Sequence, residues 1–265
     1  MRHTFTALLF LYAFAFISCH RENSEQEPAP EGTVDLGIVM ERPDGSKYKL
    51  YWADRNLGAD DPESKGDYYC WGEVEPDKPG HGLEQYKYGK GSYLVPYSAS
   101  GFYQYMYVSR YCPGNMPAFW RGVGDPDNLT DLRDYGYEDD AARVVLGGKW
   151  HIPTLDEWMA LRRNCLFTEE VRHGELFFRF KSKITGNALY LPAAGYCDNS
   201  PHYIGMNLVS NGRSGYYWAS SIDLEDPSAA RIWGKTIMGR TLNNEMGSLS
   251  RWFGASIRPV LEVDL

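Results

Sequence analysis

The residues with which this 265-residue chain could do chemistry are five cysteines, six histidines and a scatter of carboxylates. Cys70, Cys112, Cys165 and Cys197 lie beside apolar or aromatic neighbours, and none stands at metal-finger spacing. In an oxidising compartment the four could form two bridges in three possible pairings, or they could remain buried free thiols. Beyond the first residues the histidines are His20, His81, His151, His173 and His202. No two fall at ligand spacing, and neither a Gly-x-Ser-x-Gly elbow nor a phosphate-binding glycine loop accompanies them. The acidic run "DPDNLTDLRDYGYEDD" begins like a calcium loop at Asp125. It then has Thr130 where the loop needs glycine and Gly136 where it needs glutamate, so an acidic, solvated loop is expected. Glycoside hydrolysis would need two acids facing each other across a deep cleft, which no spacing reveals. The expectation is no metal, no cofactor and no catalysis.

Aromatic surface is the positive signal. Eight tyrosines between Tyr86 and Tyr111 crowd one segment rich in glycine. Tyrosine pairs a flat apolar face with a polar tip, which suits stacking on a sugar or anchoring a protein partner. Tyr103, Tyr105 and Tyr107 share one side of an extended segment, because side chains alternate along a strand. Together with Tyr93 and Tyr97 they form the candidate ligand-binding set, carried on residues 77–128, which read as long loops with short strands.

The elements that must position these residues follow from local rules. In "KWHIPTLDEWMALRRNC", Pro153 holds Ile152 extended, Thr154 stands at an N-cap, and Glu157 follows at capping-box spacing. Asp156 and Glu157 at the start and Arg162 and Arg163 near the end suit the helix dipole. Leu155, Trp158, Leu161 and Cys165 recur on one face. A shorter helix, Asp139 to Leu146, is stopped by Gly147-Gly148. A strand from Thr33 turns at Pro43-Asp44-Gly45 into a second strand through Tyr48, Leu50 and Trp52. After the helices, "ALYLPAAGYC", "SGYYWASS", "AARIWGKTI" and "WFGASIRPVLEV" read as strands bounded by glycine, asparagine or proline. The fold class is α+β, with two helices in the middle and an antiparallel sheet built largely from the C-terminal half. Trp71, Trp150, Trp158, Trp218 and Arg258 are the expected structural core.

The chain's start concerns its address. "MRHTFTALLFLYAFAFISC" has an early cation and an apolar run too short for a stable span, ending in Ser18 and Cys19. It resembles a bacterial lipoprotein signal of the looser kind found in Bacteroidetes, which implies a signal peptide over residues 1–18 and lipid attached to Cys19. Residues 19–32 are polar, proline-bearing and glutamate-rich, an acidic flexible tether. Acidic residues soon after the cysteine resemble the surface-export signals of those lipoproteins, implying an outer-membrane, surface-exposed protein held by its lipid. A net charge of −8 argues against nucleic-acid binding.

Several motifs also stand in a telling order: "VDLG", "WADRNLGA", "GDYYCWGE", "DDAARVVLGGKWHIPTLDEW", "LYLPAAGY", "GYYWASS" and the terminal "SIRPV". This order resembles the Fibrobacter succinogenes major paralogous domain, abundant in Bacteroidetes lipoproteins, across residues 33–262. That family is similar in turn to the formylglycine-generating, sulfatase-modifying enzymes. Their Leu-Pro-Thr turn and Glu-Trp pair are matched by Ile152-Pro153-Thr154 and Glu157-Trp158. The resemblance implies one domain over residues 33–265 with a C-type-lectin-like fold: a twisted antiparallel sheet, two helices and long ordered loops. It does not imply the oxidase reaction, because Pro259 follows Arg258 where that enzyme carries a cysteine. Glu75-Pro76-Asp77 resembles the lectin sugar-binding tripeptide, yet it precedes both helices, whereas lectins place it in a late loop. The function expected is a non-catalytic, lipid-anchored binding or adhesion module for a glycan or a surface protein. A structural accessory or cap subunit of a surface assembly and a degenerate enzyme on the same scaffold are the alternatives.

Overall fold

The computed structural model describes residues 28–78, 81–98, 101–116, 128–198, 207–209, 211–236 and 245–265. They form a mostly β, α+β structure with two helices and largely antiparallel sheets. The first sheet pairs β1 (Thr33–Glu41) with β2 (Lys47–Ala53), then brings β16 (Val260–Asp264) from the chain's end beside β2. The short strand β6 (Trp150–His151) closes its far edge. The turn between β1 and β2 falls at Pro43-Asp44-Gly45, where Gly45 takes φ 84°, a backbone state glycine adopts without steric cost.

The second sheet has five strands in the order β14 (Glu245–Ser250), β13 (Ala229–Thr236), β12 (Ser214–Ile222), β15 (Ala255–Ser256) and β3 (Tyr68–Tyr69). Within it, the Tyr217–Ser256 pairing of β12 with β15 is parallel. This sheet separates two apolar clusters, and strand alternation decides which residue joins which. On β12, Trp218 faces one cluster while Tyr217 and Ala219 face the other. On β13, Ile232 and Trp233 divide the same way.

Both helices begin as their sequences require. Asp140 caps Ala141–Leu146, which ends at Gly147 with φ 71°. Thr154 caps Leu155–Asn164 through a complete capping box with Glu157. Trp158 is driven from this helix into the second cluster, 4.7 Å from Trp52 and stacked on Trp233 at 5.6 Å. Its indole nitrogen donates to the carbonyl of Trp218, and the Trp218 indole donates to the carbonyl of Tyr69. Trp71, Trp158, Trp218 and Arg258 are fully buried. Trp150 is not. It sits on the edge strand β6 opposite Leu261, half-buried, and lines a surface cleft with Val145 and Leu146.

Two segments differ from the sequence reading. β4 (Gly89–Ser98) and β5 (Gly101–Val108) form an antiparallel hairpin with register shifts between Gly89 and Ser92 and between Pro96 and Ser98, in place of loops with short strands. A second hairpin joins β7 (Cys165–Arg172) to β8 (Glu175–Ser182), with β9 (Ala188–Pro192) beside β8. Its loop is the pair His173-Gly174, both at positive φ, the backbone that suits a two-residue turn. Cys165, expected on the helical face, caps the helix and starts β7. A small pair, β10 (Tyr196–Asp198) and β11 (Asn207–Val209), completes the strands. Among the described residues no helix is long and apolar enough to cross a membrane.

Candidate functional site

The β4–β5 hairpin carries the tyrosines singled out from the sequence. Tyr93 on β4 pairs with Tyr105 on β5, so the two side chains share a face. Their rings stack 5.6 Å apart at 19°, and Tyr107 leans on Tyr93 at 4.9 Å. All three residues are half-buried. Leu94 and Val95 on the same strand are exposed at 59% and 39%. The side chains of Tyr97 and Tyr103, and the whole of Cys19, lie outside what is described.

The remaining tyrosines of the crowded segment do structural work. Tyr86, Tyr88 and Tyr111 are buried in the first cluster. The Tyr86 hydroxyl donates to the carbonyl of Trp71, and the Tyr111 hydroxyl donates to Asp139. Arg251, wholly buried, lies 4.6 Å over the Trp71 ring and donates to the Tyr86 hydroxyl and to the carbonyls of Pro227 and Arg110. Sequence reasoning missed this arginine, because nothing local to Ser250-Arg251-Trp252 signals burial.

A second arrangement lies at the start of the Leu155–Asn164 helix. His151 Nε2 is 3.1 Å from both oxygens of Glu157, and its Nδ1 is 3.2 Å from the carbonyl of Lys149. Both ring nitrogens face oxygen atoms, an arrangement that favours the imidazolium beside an ionised Glu157. Burial opposes that charge, but the Glu157 carboxylate overcomes it and holds the His151 pKa up at about 9. Glu157 also accepts from the Tyr48 hydroxyl and from the Thr154 backbone N–H. Burial pulls its pKa upward and these donors, led by His151, hold it below the ordinary value. Asp140, deeper still, accepts from the backbone of Arg143 and of Ile152 and is pushed up to about 6 by burial. Outside the pair is a polar cleft of about 520 Å³ bordered by Arg42, Tyr48, Arg133, Tyr137 and Glu262. An ion pair between Arg42 and Glu262 spans part of it.

The loop after β3 gathers a third set. The Asp77 backbone N–H donates to the Tyr68 carbonyl at 2.7 Å and the Glu73 N–H to the Cys70 carbonyl at 3.1 Å, folding the segment on itself. His81 Nδ1 then lies 3.2 Å from Asp77 Oδ1 and 3.8 Å from Cys70 Sγ, while Nε2 lies 3.4 Å from Glu73 Oε2. Sequence reasoning passed over these residues, since it sought two histidines or two cysteines at fixed spacing. Cys70, Cys112, Cys165 and Cys197 are all buried, and none forms a disulfide with another described cysteine. At the C-terminal strand, Arg258 donates to Asn56 and to the carbonyls of Ala53 and Tyr190, and Pro259 accepts from the Ala53 N–H.

Compared with protein-family models, curated proteins and solved structures, the chain finds no match in any of the three.

Proposed function

We propose that this chain is a non-catalytic binding module on a C-type-lectin-like scaffold of the Fibrobacter succinogenes major paralogous kind, anchored at the outer-membrane surface by lipid on Cys19. The observation that carries the reading is the β4–β5 hairpin, where Tyr93, Tyr105 and Tyr107 pack as a partly exposed ladder on the face that exposed Val95 shares by strand alternation. Stacked rings held by paired strands are pre-ordered, so a ligand meeting them costs little side-chain entropy. Such a strip suits the apolar face of a sugar ring or an extended protein segment. The strand order, two capped helices and buried tryptophans are compatible with the lectin-like scaffold, which remains part of the proposal.

Two considerations weigh against chemistry. Pro259 supplies no sulfur at the position where the related oxidase carries a cysteine. The His151–Glu157 pair beside the polar cleft is wholly buried; the imidazole is engaged by the Lys149 carbonyl and by Glu157, and the Glu157 carboxylate also closes the helix cap. A second reading, an accessory subunit of a surface assembly, draws on the edge strand β7, where Leu166 and Val171 are exposed at 58% and 69%.

The test is a screen of the mature chain against a glycan array and against surface proteins. We expect a binder whose affinity falls when Tyr105 and Tyr107 are both changed to alanine. Absence of any binder, or one indifferent to both substitutions, would overturn the hairpin as the site.

A further inference from the structure

We propose that Cys70, Glu73 and His81, with Asp77 against the imidazole, form a binding site for one divalent transition-metal ion of the zinc class. One donor atom from each of Cys70, Glu73 and His81 lies within 4.8 Å of the other two. A tetrahedral zinc centre with bonds of about 2.0–2.3 Å needs donor atoms about 3.3–3.8 Å apart. His81 Nε2 lies 3.4 Å from Glu73 Oε2, at that spacing, while Cys70 Sγ lies 3.8 Å from the other ring nitrogen, Nδ1. The Cys70 thiol donates to the Trp252 carbonyl at 3.3 Å, a bond it would give up with its proton on taking the ion.

The donor set points to the metal. A thiolate with an imidazole favours zinc and its neighbours, whereas calcium and magnesium take oxygen donors alone. Asp77, with its side chain shut off from solvent, lies 3.2 Å from His81 Nδ1, the position from which a carboxylate orients a ligating histidine. The Lys87 backbone N–H donates to Glu73 Oε1 at 2.7 Å and fixes that carboxylate in turn. The ammonium of Lys87 goes elsewhere, to Asp139. A dication between Cys70 and Glu73 would balance the thiolate and the carboxylate, with the thiol giving up its proton to solvent on binding. Side-chain exposure of 19% at His81 leaves a path of entry and a fourth position for water.

This site is separate from the hairpin's ligand surface and stands whether or not that surface binds anything. It lies at the hairpin's root, since Lys87 precedes β4 and Cys70 packs in the same cluster as Tyr86 and Tyr88. Metal would tie the loop after β3 to the strand pair.

The experiment uses the full chain, reduced and stripped with a chelator, titrated with Zn(II) against a chromogenic competitor and with Co(II) as a spectroscopic probe. One equivalent should bind, and the Co(II) form should show a thiolate charge-transfer band. Cys70→Ser should abolish the band, and Asp77→Asn should weaken Zn(II) binding by about 10- to 100-fold. Cys165→Ser, at the far end of the Leu155–Asn164 helix, should leave both unchanged. Should Cys70→Ser fail to fold, His81→Gln at the partly exposed position reads the same loss. No bound equivalent, or a band that survives both Cys70→Ser and His81→Gln, overturns the site.

Discussion

His151 and Glu157 meet at 3.1 Å with neither side chain reaching solvent, and the same carboxylate that pairs with the imidazolium closes the capping box of the Leu155–Asn164 helix. One residue thus joins a helix start, the edge strand β6 and the Tyr48 hydroxyl of β2. Removing one member of a buried ion pair leaves the other charged and unpaired, at a cost of about 3–5 kcal/mol. Glu157→Ala should lose stability of that order in urea denaturation, and a change below about 1 kcal/mol would contradict the pairing.

The pair also sets a pH dependence. His151 has its folded pKa raised to about 9, so its contribution is complete below the unfolded histidine range and fades as pH climbs through about 9. Glu157 is lowered, so its share is present above the ordinary carboxylate range and fades only in stronger acid. Asp140, raised to about 6, contributes fully only below the unfolded aspartate range and loses that contribution as pH rises to about 6, before the His151 window begins. Unfolding free energy should therefore decline from about pH 6.5 to about 9, and Glu157→Ala should flatten that decline. An equally steep decline in the variant would show that another group titrates there.

Thr154 supplies the other half of the capping box by accepting from the Glu157 N–H at 3.1 Å. Thr154→Ala should cost about 0.5–2 kcal/mol, measured as a shift in the denaturation midpoint, with Thr154→Ser recovering most of it.

Arg258 donates in three directions, to Asn56, Ala53 and Tyr190, and is wholly buried. Lysine keeps the charge but cannot reproduce the planar fork. Each buried acceptor left unsatisfied costs about 1–3 kcal/mol, so Arg258→Lys should destabilise by about 2 kcal/mol or more. A lysine variant of native stability would mean that the three acceptors find other donors.

The tyrosines should separate by burial. Tyr111→Ala, in the core and bonded to Asp139, should cost about 3–5 kcal/mol. Tyr105→Ala with Tyr107→Ala should leave the chain folded and weaken ligand binding by about tenfold or more, near the threshold at which an interface residue counts as a hot spot. Equal thermal losses in the two experiments would make the ladder structural.

The lipid anchor has its own test. Cys19→Ala should abolish labelling by a fatty-acid probe and release the protein from membranes. Full retention would refute lipid attachment at Cys19.

Local chemistry made part of this structure readable in advance. Thr154 with Glu157 three positions on, Gly147 after Leu146, and the turn at Gly45 each depend on neighbours a few residues away, so the chain's order alone determined them. The His173-Gly174 turn carried the same kind of signal, and its hairpin could have been found. Folding decided the rest. Tyr111 and Tyr105 read alike in the sequence, and only the packing of Met106, Val108 and Tyr111 into the first cluster sends Tyr111 inward and leaves Tyr105 partly outside. Trp150 looked as apolar as Trp158, but an edge strand has one side without a neighbour, so its ring stays half-exposed. Cys70, Glu73, Asp77 and His81 follow no familiar spacing, and Arg251 meets Trp71 across 180 residues of chain. Contacts of that range arise from the closing of sheets, which no short stretch of sequence encodes.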